Sequence, residues 1–548
     1  MQSATEREIS GNIVDVLSER IYYGTLVIQN GRIADIRGIN EPARDGQPFL
    51  FPGFVDAHVH IESSMLAPTE FARLAVVHGT VATVSDPHEI ANVLGAAGVW
   101  YMVENAEQSP LKFHFGAPSC VPATPFDRSG GTLNSKQVAE LLDDDRIKYL
   151  SEMMNFPGVL HDDPEVLAKI AAAKERGKPV DGHAPQVRGD ALAKYIAAGI
   201  STDHESRSYD EGLEKLQRGM KLLIREGSAA KDFEALHPLI VDFPQQCMFC
   251  SDDKHPDELT HGHINQLVRR GLAKGLDLFK LLQVACVNPV QHYGLDVGLL
   301  QIGDAADFLE VDNLTELNIG RVFIDGQVVC ENGTSLLPRI EPTIVNQFQT
   351  ELRTADEFIV KAQPGILQVI EAIGGQLITK RVRRQARIKN GQVLIDLDRD
   401  VLKIALVDRY TGSPPSVAFV RNFGLKHGAI ASSVSHDSHN IIAVGTSDEE
   451  IARAINLVIE AKGGISVAAG ERTDLLPLPI AGLMSNGEGH EVAAAYARLD
   501  GLAKELGSKL AAPFMTLSFM ALTVIPELKL GPEGLFDVAK FSYVSLFE

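Results

Sequence analysis

Six residues of metal-ligating types recur through the first half of the chain, each at the end of a short strand-like run: His58, His60, Glu152, His183, His204 and Asp252. His58 and His60 are two positions apart, so on a strand both imidazoles point to the same side and can reach one ion. Imidazole and carboxylate ligands without thiolates suit Zn²⁺, Fe²⁺ or Mn²⁺ in an open, reactive site. The pattern predicts a metal-dependent hydrolase.

Glu152 is the pivotal residue of this set, because a carboxylate has two oxygens and can bridge two ions. Two ions about 3.5–4 Å apart can share a hydroxide and hold it as a nucleophile at neutral pH. Each residue also has an ordinary interpretation, since a single buried histidine is usually a satisfied core residue and a strand-end aspartate is often a loop cap. The occurrence of all six at strand ends favours the ligand interpretation.

The elements that must position these residues lie between positions 51 and 300, where strand-like and helix-like runs alternate. Eight strands over about 250 residues predict a (β/α)₈ barrel, whose functional residues gather at the C-terminal ends of the strands. All six candidates fall at such ends. The predicted strands are 54–59, 80–84, 112–117, 147–152, 178–182, 200–204, 221–225 and 246–251.

Strand-like sequence with hairpin turns flanks the barrel on both sides, with Asn30-Gly31 before it and Asp325-Gly326 after it. We therefore predict a composite β-sandwich domain from residues 1–50 and 301–340, with the barrel of residues 51–300 inserted between its halves. Residues 345–548 mix strand sequence with an amphipathic helix and predict an additional C-terminal α+β domain.

Composition excludes several classes of protein. A formal charge of −21 over 548 residues argues against binding a phosphate backbone, and no apolar run approaches the roughly 20 residues that span a bilayer. Five cysteines form no disulfide framework and the N-terminal residues resemble no secretory signal, so we expect a cytoplasmic protein. Cys247 and Cys250 would point to opposite faces of a strand, which predicts buried structural thiols rather than a zinc site.

Seven motifs resemble the adenine deaminase family of the amidohydrolase superfamily, and the resemblance covers nearly the whole chain. It implies that His58, His60 and Asp252 hold one ion, that His183 and His204 hold another, and that Glu152 bridges them. Many binuclear amidohydrolases have a carbamylated lysine where this chain has Glu152, and the glutamate fits the adenine deaminase branch. The motifs are VDAHVHIES (55–63), SDPHE (85–89), KYLSEMMNFPG (148–158), DGHAP (181–185), STDHES (201–206), CSDDKHP (250–256) and HGAIASSVSHDSHNIIAVG (427–445).

The resemblance implies hydrolytic deamination of adenine to hypoxanthine and ammonia, in purine salvage or catabolism. A bridging hydroxide would attack C6, and Asp252 would shuttle protons. We expect two divalent ions per chain, with Mn²⁺ or Fe²⁺ favoured over Zn²⁺, a small-molecule purine base as substrate, no nucleic-acid or membrane partner, and a homodimer.

Two other functions remain open at this point. One is hydrolysis of another aminated heterocycle or of a cyclic amide, because small pocket changes can redirect such a barrel. The other is a catalytically inactive barrel that serves as a binding scaffold. A scaffold has no need of a full ligand set, so the six residues argue against it.

Further residues have alternative roles. His88 and Glu89 close the second strand and could contact the purine or assist proton transfer, or they could simply begin a helix. Arg225, at the end of the seventh strand, could orient the base or pair with an acid. Asp253 is predicted to be a loop carboxylate or a substrate contact.

His436 and His439 flank Asp437 in VSHDSHN, far from the barrel motifs in sequence. Three interpretations are open for this segment. It could complete the pocket of its own or a neighbouring subunit, form a further metal position, or be a capped turn with exposed polar groups.

Overall fold

The chain begins with four strands of one sheet in the computed structural model, which describes residues 6–228 and 230–548. β1 and β2 pair antiparallel along their whole length, from Arg7 opposite Ile28 to Asp15 opposite Arg20. Asn30 and Gly31 have φ of +52° and +79°, which are the left-handed values that a two-residue hairpin turn requires. This confirms the predicted hairpin. The strands are β1 Arg7–Asp15, β2 Arg20–Gln29, β3 Arg32–Pro42 and β4 Phe49–Pro52.

Eight parallel strands follow and form the barrel. They coincide closely with the predicted strands; the largest differences are at β9 and β10, which begin at Val180 and Thr202 rather than at 178 and 200. The strands are β5 Phe54–Val59, β6 Thr80–Ser85, β7 Lys112–Ala117, β8 Ile147–Met153, β9 Val180–Gly182, β10 Thr202–Asp203, β11 Lys221–Arg225 and β12 Cys247–Cys250.

Two junctions close these strands into a ring. Strands β5 to β9 pair in order in one sheet and β10 to β12 in another. The Ser201 amide donates to the Val180 carbonyl at 2.9 Å between the two sheets. On the other side, the Asp252 amide donates to the His58 carbonyl at 2.9 Å, and Val59 forms a parallel bridge with Asp252. The His60 amide also donates to the Asp252 carbonyl, at 3.2 Å, so three of the predicted ligands lie at the closing seam.

The helices of this segment pack around the barrel, so that β5 and β6 are buried along their whole lengths, as expected for parallel strands covered on both faces. Cys247 and Cys250 are buried and unpaired, which confirms the predicted structural thiols. The helices are α1 Pro68–Ala75, α2 His88–Leu94, α3 Ala96–Ala106, α4 Ser135–Leu142, α5 Phe156–Leu160, α6 Pro164–Glu175, α7 Gly189–Ala197, α8 Tyr209–Gln217, α9 Phe233–Leu236, α10 Pro256–His261, α11 Ile264–Ala273, α12 Leu278–Leu282 and α13 Asn288–Tyr293.

Four strands after the barrel return to the first sheet. β13 pairs antiparallel with β4, with Leu309 opposite Phe51, and so completes one continuous eight-stranded sheet. The sheet has a core of its own, in which Phe308 and Phe323 stack with ring centroids 4.2 Å apart. The strands are β13 Phe308–Val311, β14 Ile319–Ile324, β15 Gln327–Glu331 and β16 Thr334–Ser335.

A mixed eight-stranded sheet forms the centre of the C-terminal region, in the order β18-β17-β22-β21-β24-β23-β25-β26. The predicted amphipathic helix is α14. The elements are β17 Leu367–Ala372, β18 Thr379–Arg384, β19 Arg387–Lys389, β20 Gln392–Leu394, β21 Leu402–Val407, β22 Ser416–Arg421, β23 Ala429–Ser432, β24 Ile441–Gly445, α14 Asp448–Glu460, β25 Gly464–Ala469, β26 Arg472–Pro477, α15 Gly489–Glu505, α16 Pro513–Ser518, β27 Leu528–Gly531, β28 Gly534–Asp537 and β29 Ser542–Tyr543.

The C-terminal region lies against the end of the barrel at which the strands finish. Thr523 and Thr124 join the two through their hydroxyl groups at 3.1 Å, and the loop between β23 and β24 reaches α2 of the barrel. Within the part of the chain that the structure describes, none of the helices has the length and apolar character needed to cross a bilayer.

Candidate metal centre

The six predicted ligands converge at the C-terminal ends of the barrel strands. His58 lies on β5 and His60 directly after it, Glu152 lies near the end of β8, and the other three follow β9, β10 and β12. All six side chains are buried, with exposures between 0% and 6%. Residues up to 194 positions apart in sequence thus lie in one small region, because the parallel strands of a closed barrel all end on the same side.

Glu152 lies at the centre of the cluster. Its Oε2 is 2.6 Å from His183 Nδ1 and 3.1 Å from His204 Nε2, and its Oε1 is 3.3 Å from His60 Nε2 and 3.9 Å from His58 Nε2. Each carboxylate oxygen therefore faces a different pair of histidines. Burial opposes ionisation, but His204 and His183 hold the pKa of Glu152 well below its usual range, so the carboxylate is charged.

Asp252 completes the half of the cluster next to β5. Its Oδ1 is 3.1 Å from His60 Nε2 and 3.6 Å from His58 Nε2, whereas its Oδ2 accepts a hydrogen bond from Arg225 Nη1 at 2.7 Å. Burial opposes the charge, but Arg225 outweighs it and holds the pKa of Asp252 well below its usual range. Asp252 has a left-handed φ of +54°, a conformation that aspartate tolerates better than most residues.

This donor set fits divalent metal ions. His58 Nε2 and His60 Nε2 lie 3.2 Å apart, and two imidazole lone pairs at that distance repel each other unless a proton or a cation lies between them. His58 Nδ1 and His183 Nε2 are buried without a hydrogen-bond partner. Nitrogen and carboxylate oxygen donors from several strands, with no thiolate among them, are typical of a reactive rather than a structural metal site.

His88 and Glu89 begin α2 beside this cluster. His88 Nδ1 is 3.1 Å from Asp86 Oδ2 and 3.6 Å from Glu152 Oε1. Glu89 turns away from the six and bonds to the C-terminal region: its Oε1 accepts from His436 Nδ1 at 2.5 Å, and its Oε2 accepts from His439 Nε2.

The loop that contains His436 and His439 therefore covers the site of its own chain. Both side chains are buried, so the interpretation as an exposed turn is wrong. Burial opposes the charge on His436, but Glu89 more than compensates and raises the pKa of His436 to about 9. The result is a buried ion pair that links α2 of the barrel to the C-terminal region.

Arg225 pairs with acids, which was one of its two predicted roles. Besides Asp252, its guanidinium binds Glu205 and contacts Asp232 through Nε at 3.2 Å. Burial raises the pKa of a carboxyl group, but Arg225 lowers that of Glu205 to about 2. Asp253 accepts a hydrogen bond from Ser63, and burial raises its pKa.

Glu205 and Asp86 were missed by the sequence analysis as site residues. Glu205 Oε1 lies 3.8 Å from His183 Nδ1 and 3.7 Å from His204 Nε2. Asp86 accepts from the His88 amide at 3.1 Å as well as facing its ring. Their positions in the sequence could have indicated them, because each acid lies within two residues of a candidate site residue at a strand end.

A small cavity lies above the cluster and is lined by charged groups, most of them from the barrel, and by apolar side chains, most of them from the C-terminal region. It shares Met154, Glu205, Leu377 and Ile525 with an outer cavity of about 660 Å³ between barrel loops and the C-terminal region. The apolar side chains that line this cavity are Met154, Leu377, Phe519, Leu522 and Ile525.

Known proteins match this chain over both the barrel and the C-terminal region. Residues 49–329 match the amidohydrolase family, and residues 376–542 match the adenine deaminase C-terminal domain. An adenine deaminase of Sulfurovum sp. (strain NBC37-1) is 53% identical over 542 residues, covering 98% of this chain and 99% of that protein. An adenine deaminase of Salinibacter ruber is 54% identical over 542 residues, covering 98% of each chain. One from Methanosarcina mazei is 51% identical over 554 residues, covering 99% of each. The chain belongs to the adenine deaminase family of the amidohydrolases.

Proposed function

We propose that this chain catalyses the hydrolytic deamination of adenine to hypoxanthine and ammonia. The observation that carries the proposal is the central position of Glu152, whose two oxygens face two separate pairs of histidines inside a pocket closed by the family's C-terminal domain. The adenine deaminases that resemble this chain match it along nearly its whole length, over the barrel and the C-terminal region alike.

Two divalent ions per chain fit this arrangement, with His58, His60 and Asp252 for one, His183 and His204 for the other, and Glu152 shared. Mn²⁺ and Fe²⁺ suit the mixed imidazole and carboxylate donors. Ions bound there would lower the pKa of a water molecule and so supply the nucleophile near neutral pH. Glu152 is a carboxylate from the outset and needs no modification to take this position.

We infer that Asp252 accepts and passes on a proton. Arg225 occupies its Oδ2, which leaves Oδ1 directed toward the ligands and the cavity. Deamination requires one proton at ring N1 and one at the departing amine, and a carboxylate fixed at this point can take a proton from the attacking water and return it. Arg225 is thus a positioning residue for Asp252.

We propose that the residues beside the ligands contact the substrate or supply protons to it. His88, Glu89 and His436 line the cavity together with Asp253. Because Glu89 holds two histidines, it fixes the C-terminal loop over the pocket. His439 acts through Glu89 and does not reach the cavity.

The substrate class is a small purine base. We propose in addition that the chain forms a homodimer and acts in the cytoplasm, where its five buried, unpaired cysteines would remain reduced. The division into residues 1–50 with 301–340, 51–300 and 345–548 is likewise a proposal. It is supported by the sheet that joins β4 to β13.

The direct test of the function is ammonia release from adenine by the purified, Mn²⁺-loaded protein, with adenosine, guanine and cytosine measured in parallel. We expect rapid turnover of adenine alone. If no purine is deaminated while two ions are bound per chain, the deaminase proposal is wrong. The protein would then remain a metal-dependent hydrolase whose substrate is another heterocycle or a cyclic amide.

Asp252→Asn tests the proton shuttle. The amide keeps the size of the side chain but cannot accept a proton at this position, so we expect kcat for adenine to fall by about 10²–10⁴-fold. Metal content, measured by elemental analysis, should fall much less. Asp277→Asn is a suitable control, because Asp277 is an exposed helix cap at which asparagine serves equally well. Near-normal activity of Asp252→Asn at full metal occupancy would contradict the shuttle.

The double variant His436→Ala, His439→Ala tests the loop over the pocket. It removes both donors to a buried carboxylate, and hydrogen bonds to charged groups contribute about 1.5–3 kcal/mol each. We expect kcat/KM for adenine to fall at least about tenfold with metal content retained. His490→Ala replaces an exposed histidine of the same region and should be neutral. Normal turnover by the double variant would exclude a role for the loop.

A further inference from the structure

The apolar side of the cavity comes mainly from the C-terminal region, in two segments far apart in sequence. Leu377 lies just before β18, and Phe519, Leu522 and Ile525 lie between α16 and β27; we call these four residues the apolar wall. Phe519 also stacks on the His436 ring, with centroids 4.3 Å apart and an angle of 14°. The apolar wall therefore faces the ligand cluster across the cavity.

Lys529 lies behind the apolar wall on β27 and is fully buried. Its Nζ donates to the carbonyl oxygen of Leu377 at 2.8 Å and to that of Phe519 at 2.9 Å. No carboxylate of the described residues forms a hydrogen bond or an ion pair with it. One amine thus connects the two segments of the apolar wall, which are 142 residues apart in sequence from Leu377 to Phe519.

The choice of lysine at this position has an energetic cost. Burial without an anion lowers the pKa of Lys529 to about 7, and transfer of a polar group into the interior is unfavourable unless it is hydrogen-bonded. A neutral amine has two N–H groups, which equals the number of carbonyls it serves. Methionine would fill similar space without this cost, but it would leave the Leu377 carbonyl without a donor and the Phe519 carbonyl with only the Leu522 amide, at 3.4 Å. The contact therefore fixes where two backbone segments lie.

We propose that Lys529 is a positioning residue that holds the apolar wall in place to receive the flat face of a purine base. This inference rests on the proposed function, because it takes an aromatic base as the occupant of the cavity. A planar base presents a large apolar face while its nitrogens remain available for the charged groups opposite, and apolar and aromatic side chains are the surfaces that pack on such a face. Lys529 itself does not line the cavity.

Lys529→Met tests the inference. Loss of both hydrogen bonds should let the two segments separate and weaken binding of the base before any chemical step, because the apolar wall supplies none of the six predicted ligands. We expect KM for adenine to rise about tenfold, the order of effect of an apolar pocket contact. The dissociation constant of hypoxanthine should rise by the same factor. We expect kcat to change less than about threefold and metal content to stay constant.

Lys403→Met is the matched control. Lys403 is also buried in the C-terminal region and also donates to a carbonyl, that of Phe358. Unlike Lys529 it is paired with a carboxylate, that of Asp448, and it contacts neither segment of the apolar wall. Its replacement should lower the unfolding temperature and leave KM and hypoxanthine binding unchanged. A purely structural role of Lys529 would give this same pattern in Lys529→Met, and that result would overturn the inference.

Leu377→Ala keeps the inference testable if Lys529→Met fails to fold, because it shortens the apolar wall itself. Its KM for adenine and its dissociation constant for hypoxanthine should both rise; unchanged values would overturn the inference. The native enzyme reports separately on the proposed function. Adenine turnover by the native protein together with unchanged binding in both variants would remove this inference alone, whereas a native protein inactive on adenine would remove both.

Discussion

The Glu152 carboxylate among four imidazoles is the interaction on which the rest of the site depends. One oxygen faces His58 and His60, and the other faces His183 and His204. A buried charge of this kind is costly unless cations are close, and imidazoles packed this tightly also need a proton or a cation between their lone pairs. The barrel meets both demands by ending five of its strands at one point, with Asp252 brought in across the closing seam.

The C-terminal region supplies none of the six ligands, yet the pocket is incomplete without it. Its His436 and His439 hold Glu89 of the barrel, and its apolar wall covers the cavity above the ligands. The pocket thus combines charged groups, most of them from the barrel, with apolar side chains, most of them from the C-terminal region. Exclusion of water by the apolar wall strengthens the electrostatic interactions among the charged groups of the pocket. The buried Lys529 holds the apolar wall through its hydrogen bonds to the Leu377 and Phe519 carbonyls.

The barrel and the convergence of the six candidate ligands could be predicted because their signals are local. Strand ends, the two-residue spacing of His58 and His60, and the Asn-Gly and Asp-Gly turns are all properties of short segments. The partners of Glu89 lie 347 and 350 residues away, so the sequence could propose a covering loop but could not choose it over an exposed turn. For Lys529 the sequence shows only a lysine within an apolar strand. Its proposed role depends on hydrogen bonds to two backbone carbonyls, which no pattern of side chains predicts.

Anomalous diffraction at the manganese edge, from crystals of the Mn²⁺-loaded protein, tests the central position of Glu152 most directly. Our account predicts two peaks per chain, about 3.5–4 Å apart, with one beside each oxygen of Glu152. The first should lie within ligand distance of His58, His60 and Asp252, and the second within ligand distance of His183 and His204. A single peak per chain, or a second peak that does not contact Glu152, would contradict the account.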